Sequence, residues 1–303
     1  MALSYGVFFI LFAATMVIAV FVGLLILVGW KDMWIRKTLR AVKYNLVYIV
    51  IIAAFPLFVQ VQDTIERSFE GPEQTSKEIV YTNWIFGLAG GAIRVLQDRL
   101  DYRLLTDFFI IIYAWLFAFF IYFVPIILLV KDDRATLRDY SIATMINYII
   151  LTPFYFLFPV TVSGSYPESG MTPQLYISTN WGKMVTSVDP LNNDFPSGHV
   201  SLMVTTLLVF AFAGRQYRAF TYFLIFATVT ISFAVLYLGI HWPADVFAGF
   251  VLGVLAVVIA RNQKVQMTVD RHVRSLTAKL FRERPEDLVD PGSSPKPESP
   301  RGS

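Results

Sequence analysis

Seven stretches of this chain are long, apolar and uncharged, and that feature fixes the solvent in which the protein folds. They occupy residues 4–30, 44–62, 108–130, 140–162, 200–214, 220–239 and 246–260. A hydrocarbon core about 30 Å thick takes roughly 20 apolar residues of helix to cross. No water there can hydrogen-bond the backbone, so each stretch must satisfy its own N–H and C=O groups as an α-helix. Composition agrees. Of 303 residues, 56% are hydrophobic and 16% charged, with a mean hydropathy of +0.58, whereas soluble domains carry about a quarter charged residues. The expected fold class is all-α, a polytopic membrane helical bundle of about seven spans.

The charges order these spans. Lys31, Arg36, Lys37, Arg40 and Lys43 follow the first block, Lys131, Arg134 and Arg138 the third, Arg215 and Arg218 the fifth, and Arg261, Lys264 and Arg271 the seventh. If the spans alternate in direction, all these basic connections fall on one side, which the positive-inside rule makes cytoplasmic. The N-terminus is then outside and the tail inside. Arg67, Lys77, Arg94, Arg99 and Arg103 lie in the long outer segment, where the rule loses force. Within that segment, residues 84–93 are apolar but too short to cross, and read as an interfacial or re-entrant helix. The first block has no basic leader or small-residue cleavage site, so it reads as a retained span.

Three parts follow: residues 1–43 as a first span and basic cytoplasmic loop, 44–261 as the membrane-embedded bundle, and 262–303 as a cytoplasmic tail. The Pro, Ser, Gly and charge beyond Arg282 cannot bury a core, and the tail is expected to be largely disordered. The absence of cysteine rules out disulfides and thiolate chemistry. The net charge of +3 is spread over several loops without the basic and aromatic interleaving of a nucleic-acid site. The expected partners are the bilayer and a lipid, not nucleic acid, and the sequence leaves the oligomeric state open.

Two of the three histidines sit at membrane boundaries. His199 ends Phe195-Pro196-Ser197-Gly198-His199, and His241 begins His241-Trp242-Pro243-Ala244-Asp245, while His272 lies in the tail. The fifth block descends from His199 and the sixth returns to His241, so both imidazoles face the outer side. Asp245 follows His241 by four residues, one helical turn, where a carboxylate can fix the imidazole tautomer. Histidine is a competent nucleophile toward phosphorus. A Pro-Ser-Gly helix start offers unpaired N–H groups at the positive end of the helix dipole, a setting for phosphate. Gly198 would permit close approach, and Ser197 could cap the helix or donate to the anion.

At these residues the sequence resembles the type 2 phosphatidic acid phosphatase superfamily, whose second signature is Pro-Ser-Gly-His and whose third ends in His-x-x-x-Asp. Residues 195–199 match the former and residues 239–253 the latter with its following span, within a convincing region of 190–260. The resemblance implies a six-helix catalytic core that needs no metal or cofactor. It implies that His241 attacks phosphorus, His199 protonates the leaving oxygen, Asp245 orients His241, and Ser197 and Gly198 hold phosphoryl oxygens. The implied activity is a lipid phosphatase acting on a phosphatidate-like or polyprenyl diphosphate substrate.

Two departures matter. Where the third signature begins Ser-Arg this chain has Ala234-Val235, and the first signature's Lys and Arg find no counterpart. Lys183, Arg94 or Arg99 could supply the charge from outer segments. The missing arginine is shared with a branch similar to inositolphosphotransferases of the inositol phosphorylceramide synthase type, so a head-group phosphotransferase is one alternative. A non-catalytic lipid-binding membrane protein is another.

Overall fold

The computed structural model describes residues 4–33, 35–68, 71–100, 102–187 and 191–281, and these are almost wholly helical, with no named strand. Five helical rods are long and apolar enough to cross a membrane: Tyr5–Leu27, Arg103–Lys131, Arg134–Leu157, Arg215–Tyr237 and Pro243–Ala260. Two bent pairs raise the number to seven if each counts as one span. The protein is therefore a multi-pass helical membrane protein, as the apolar blocks require.

Helix α1 (Tyr5–Leu27) is apolar on every face and buries only Met16 and Leu24. Gly23 lets it approach the bundle, since a Cβ there would come 2.8 Å from the Phe123 ring. The basic stretch expected as a loop is instead largely helical, α2 (Ile35–Tyr44), joined at a 76° bend to α3 (Leu46–Ser68). Its charges alternate with apolar residues at helical spacing, so one face can lie against the membrane surface. The apolar stretch 84–93, expected as an interfacial or re-entrant helix, lies within α4 (Pro72–Arg99), 28 residues long and bent by 72°, a break that fits either a broken span or a re-entrant loop. Pro72 at its first turn and the adjoining polar residues extend the helix beyond the apolar segment.

The next rod joins α5 (Arg103–Ile110), a π-helical segment over Ile111–Leu116, and α6 (Phe117–Lys131). Asp132 closes it in the left-handed region, and the Asp133 side chain caps α7 (Arg134–Leu157). The segment 163–195, read as a polar loop, contains among its described residues two 3₁₀ turns, Ser163–Ser165 and Pro167–Ser169, and one short α-helix, α8 (Thr179–Thr186). Helix α9 (Gly198–Phe212) follows, then α10 (Arg218–Tyr237) and α11 (Pro243–Ala260).

Helix α9 has 15 residues, about 22 Å at 1.5 Å per residue. It is shorter than the hydrocarbon core, in keeping with the short fifth block at 200–214. It can be short because α7, α10 and α11 surround it and bury most of its side chains. Its polar side chains are used internally. Asn147 donates to Thr205 at 3.0 Å and accepts from Ser201 at 3.1 Å. Gly249 and Gly253 bring α11 onto α9, where a Cβ would meet the carbonyl oxygens of Ser197 and Ser201 at 2.5 and 2.6 Å.

The tail is not largely disordered through its first half. Residues Gln263–Phe281 form α12, pinned beneath the bundle. Tyr48 and Arg138 hold Asp270 at 2.5 and 3.1 Å, and Gln266 donates to Asp139 at 2.9 Å. Its polar overall composition hid a stripe, Val265, Val269 and Val273, that packs on the core beside these charge pairs. Residues 282–303, and Pro190 at the edge of the motif region, lie outside the described residues.

Candidate active site

His199 is the second residue of α9. Ser197 is the N-cap, its hydroxyl accepting from Val200 N at 3.3 Å, while its own N–H donates to the Asp245 carbonyl at 3.0 Å. The Ser197 side chain is wholly buried and is not part of the cavity wall described below. Gly198 is on that wall. As first-turn residues, Gly198 and His199 have N–H groups without an i−4 carbonyl inside the helix. The His199 ring stands between Tyr113 and Phe117, with centroid separations of 4.4 and 4.3 Å. Tyr113 belongs to the π-helical segment, and such widened turns recur at functional sites.

His241 is held by a turn that follows α10. Both Ile240 N and His241 N donate to the Val235 carbonyl at 3.0 Å, and Ser163 Oγ donates to the His241 carbonyl at 3.2 Å. Gly239 has φ +72°, and a Cβ there would sit 2.8 Å from the Thr172 carbonyl oxygen, so both backbone sign and close approach call for glycine. Val235, at the position where the resembling family has arginine, is fully buried and serves the turn through its backbone.

The two histidine rings meet, with centroids 6.2 Å apart and planes inclined at 59°. Both line a cavity of about 410 Å³ between α1, α3, α7 and the α5–α6 rod. Its lining combines aromatic and apolar side chains, among them Tyr5, Phe9, Phe12, Phe117 and Ile121, with the polar groups of Asn193, Asp194 and the histidines. No Lys or Arg is among the described residues lining it. Of the cations considered from sequence, Arg94 pairs with Asp98 at 3.6 Å, and Arg94, Arg99 and Lys183 are all exposed. His272 is remote on α12 and exposed.

The carboxylates around His241 divide differently from the expectation. Asp245 Oδ2 lies 3.7 Å from His241 Nδ1 but accepts the Trp242 N–H at 2.8 Å, locking the first turn of α11. Asp194 Oδ1 is nearer, at 2.8 Å from the same Nδ1, and Asp194 is 2% exposed. The contact has ion-pair distance without the alignment of a full hydrogen bond. Burial opposes charge on His241, but Asp194 and then Asp245 outweigh it and raise its pKa to about 10. Sequence reasoning missed Asp194. The available signal was a carboxylate five residues before His199, at the edge of the same motif.

Asp194 reaches this position through backbone pairing. Val160 N and Val162 N donate to the carbonyls of Asn192 and Leu191 at 3.0 and 2.9 Å, and Asp194 N returns a bond to Val160 at 3.3 Å. Asp194, His241 and Asp245 together form a group whose geometry could also hold a metal ion.

Residues 165–267 match the family model of the PAP2 superfamily, a span that includes both histidines, Asp194 and Asp245. No curated protein and no solved structure matches the chain.

Proposed function

Taking residues 165–267 as a PAP2-superfamily segment, we propose that this protein is a membrane enzyme that breaks a P–O bond of a lipid phosphate through a phosphohistidine on His241. The observation that carries the reading is the meeting of His199 and His241 at 6.2 Å across one cavity. That separation leaves room for a phosphoryl group between the rings.

In this scheme His241 Nδ1 faces the carboxylates, so Nε2 delivers its lone pair to phosphorus. The P–O bond to the lipid breaks, and the leaving oxygen keeps the electron pair and takes a proton from His199. Water or a second alcohol then gives a proton to His199 and displaces His241, restoring both residues. The N–H groups of Gly198 and His199, at the positive end of α9, receive the phosphoryl oxygens. The lipid tail lies against the aromatic and apolar side chains of the cavity lining, and the scheme calls for no metal or cofactor. By the charge order of the loops, the site faces the extracytoplasmic side of the cell membrane.

The leading substrate is a phosphatidate-like lipid or a polyprenyl diphosphate, hydrolysed to release phosphate. A second reading, head-group transfer, draws support from the absence of Lys and Arg among the described lining residues. A phosphodiester carries one negative charge where a phosphomonoester approaches two, and so asks less of a cation-free site. The test is turnover of phosphatidate, a polyprenyl diphosphate and an inositol-containing phosphodiester lipid by purified full-length protein, measuring released phosphate and lipid products. His241→Asn is expected to lower turnover of the preferred lipid by at least about 1,000-fold. Undiminished turnover by that variant would remove His241 from the chemistry. Binding without turnover by either protein would leave the lipid-binding alternative.

A further inference from the structure

We propose that Asp194 is the positioning residue for His241, holding its Nδ1 side so that Nε2 faces the substrate, while Asp245 serves as the cap of α11. The inference deepens the phosphohistidine reading and rests on it. Its warrant is geometric. Asp194 Oδ1 is 2.8 Å from Nδ1, against 3.7 Å for Asp245 Oδ2, and the latter oxygen already accepts the Trp242 N–H at 2.8 Å. The Asp245 oxygen nearest the ring is thus committed to backbone, while the nearer Asp194 oxygen is not.

The remaining atoms agree. Asp194 lies on the cavity wall with both histidines, whereas Asp245 is fully buried behind it. Asp194 Oδ2, like Asp245 Oδ1, is buried with no hydrogen-bond partner among the described residues, so this property does not separate the two. Its N–H bond to the Val160 carbonyl, with the neighbouring bonds of Val160 and Val162 to Asn192 and Leu191, fastens the backbone that carries it, so the residue is placed by something other than the histidine it contacts. A carboxylate pinned independently of its imidazole can set ring orientation and tautomer, as in nucleophile–base arrangements generally.

The titratable groups around His241 are Asp194 from the pre-motif segment, Asp245 from α11 and His199 from α9, with Tyr5, Tyr113, Tyr122, Tyr148, Tyr155 and Tyr176 on the wall of the shared cavity. Burial favours the neutral ring, while the two carboxylates hold the charged one up to about pH 10. The attacking form is the neutral imidazole and the proton donor is protonated His199, so the His241 proton sets one limb of the kcat/KM profile and the His199 proton the other. Removing the nearer carboxylate should move the His241 limb to lower pH.

The experiment compares full-length wild type, Asp194→Asn, Asp194→Glu and Asp245→Asn, using pH profiles and titration of the three histidines by NMR on histidine-labelled protein. Asp194→Asn is expected to reduce plateau kcat by on the order of 100-fold and to lower the midpoints of both the His241 limb and the His241 titration. Asp194→Glu keeps the charge, so the limb should stay near the wild-type position while the plateau falls. Asp245→Asn retains an oxygen for the Trp242 N–H, and should lose less than about tenfold, with its limb lowered by less than in Asp194→Asn because the more distant carboxylate contributes less. The proposal is overturned if Asp245→Asn moves the His241 titration and Asp194→Asn does not, or if Asp194→Glu displaces the limb as far as Asp194→Asn. The NMR titration needs no turnover, so an inactive wild type with the expected His241 behaviour would defeat the enzymatic reading and leave the assignment of Asp194 standing.

Discussion

The Ser197 hydroxyl is spent on its own helix, accepting from Val200 N, and its N–H is spent on the Asp245 carbonyl. Ser197→Ala should therefore act through stability, costing about 1 kcal/mol as lost N-caps do, with KM changed by less than about twofold. Thermal unfolding in detergent beside steady-state kinetics checks this, and a large rise in KM at unchanged Tm would place the hydroxyl on the substrate. The two histidines were legible because span alternation alone puts them on one side of the membrane. Asp194 was not, since helical spacing pointed to Asp245 and the competing carboxylate arrives through long-range pairing of residues 191–194 with residues 160–162. Local periodicity carries no information about such a contact.

At the scale of elements, the contact between α9 and α11 places the histidine-bearing helix start against the His241 turn. Alanine is ordinarily about 1 kcal/mol better than glycine inside a helix, yet a Cβ at Gly249 would stand 2.5 Å from the Ser197 backbone oxygen. Overpacking of that kind costs about 1–3 kcal/mol, so Gly249→Ala should lower Tm and also reduce activity by shifting the start of α9. Gly87→Ala on α4, where a Cβ meets nothing within 4 Å, is the control and should leave Tm unchanged or raised. Equal Tm values for the two variants would count against close packing at Gly249. The elements misread from sequence share a cause. Helices α2, α4 and α12 carry enough charge to resemble loops, or to make only part of a longer helix apolar, while their helical period persists through the charged residues. Helix α9 reads as a span whether helices or lipid surround it, because burial inside a bundle and exposure to lipid select similar side chains.

For the whole molecule, the outer placement of the site follows from charge order and can be read directly, because the chain has no cysteine to confuse a label. E168C, at an exposed position in the segment before α8, should react with a membrane-impermeant maleimide on intact cells, whereas K264C on α12 should react only after permeabilisation. The reverse pattern would invert the topology without altering the site. The account as a whole stands on a covalent bond between His241 and phosphorus. Protein mixed with the preferred lipid, quenched in denaturant and digested under alkaline conditions should yield a peptide with an acid-labile phosphoryl or phospho-head-group adduct on His241. The His241→Asn variant should yield none. Sustained turnover with no adduct at His241, or an adduct on another residue that forms at the catalytic rate, would contradict it.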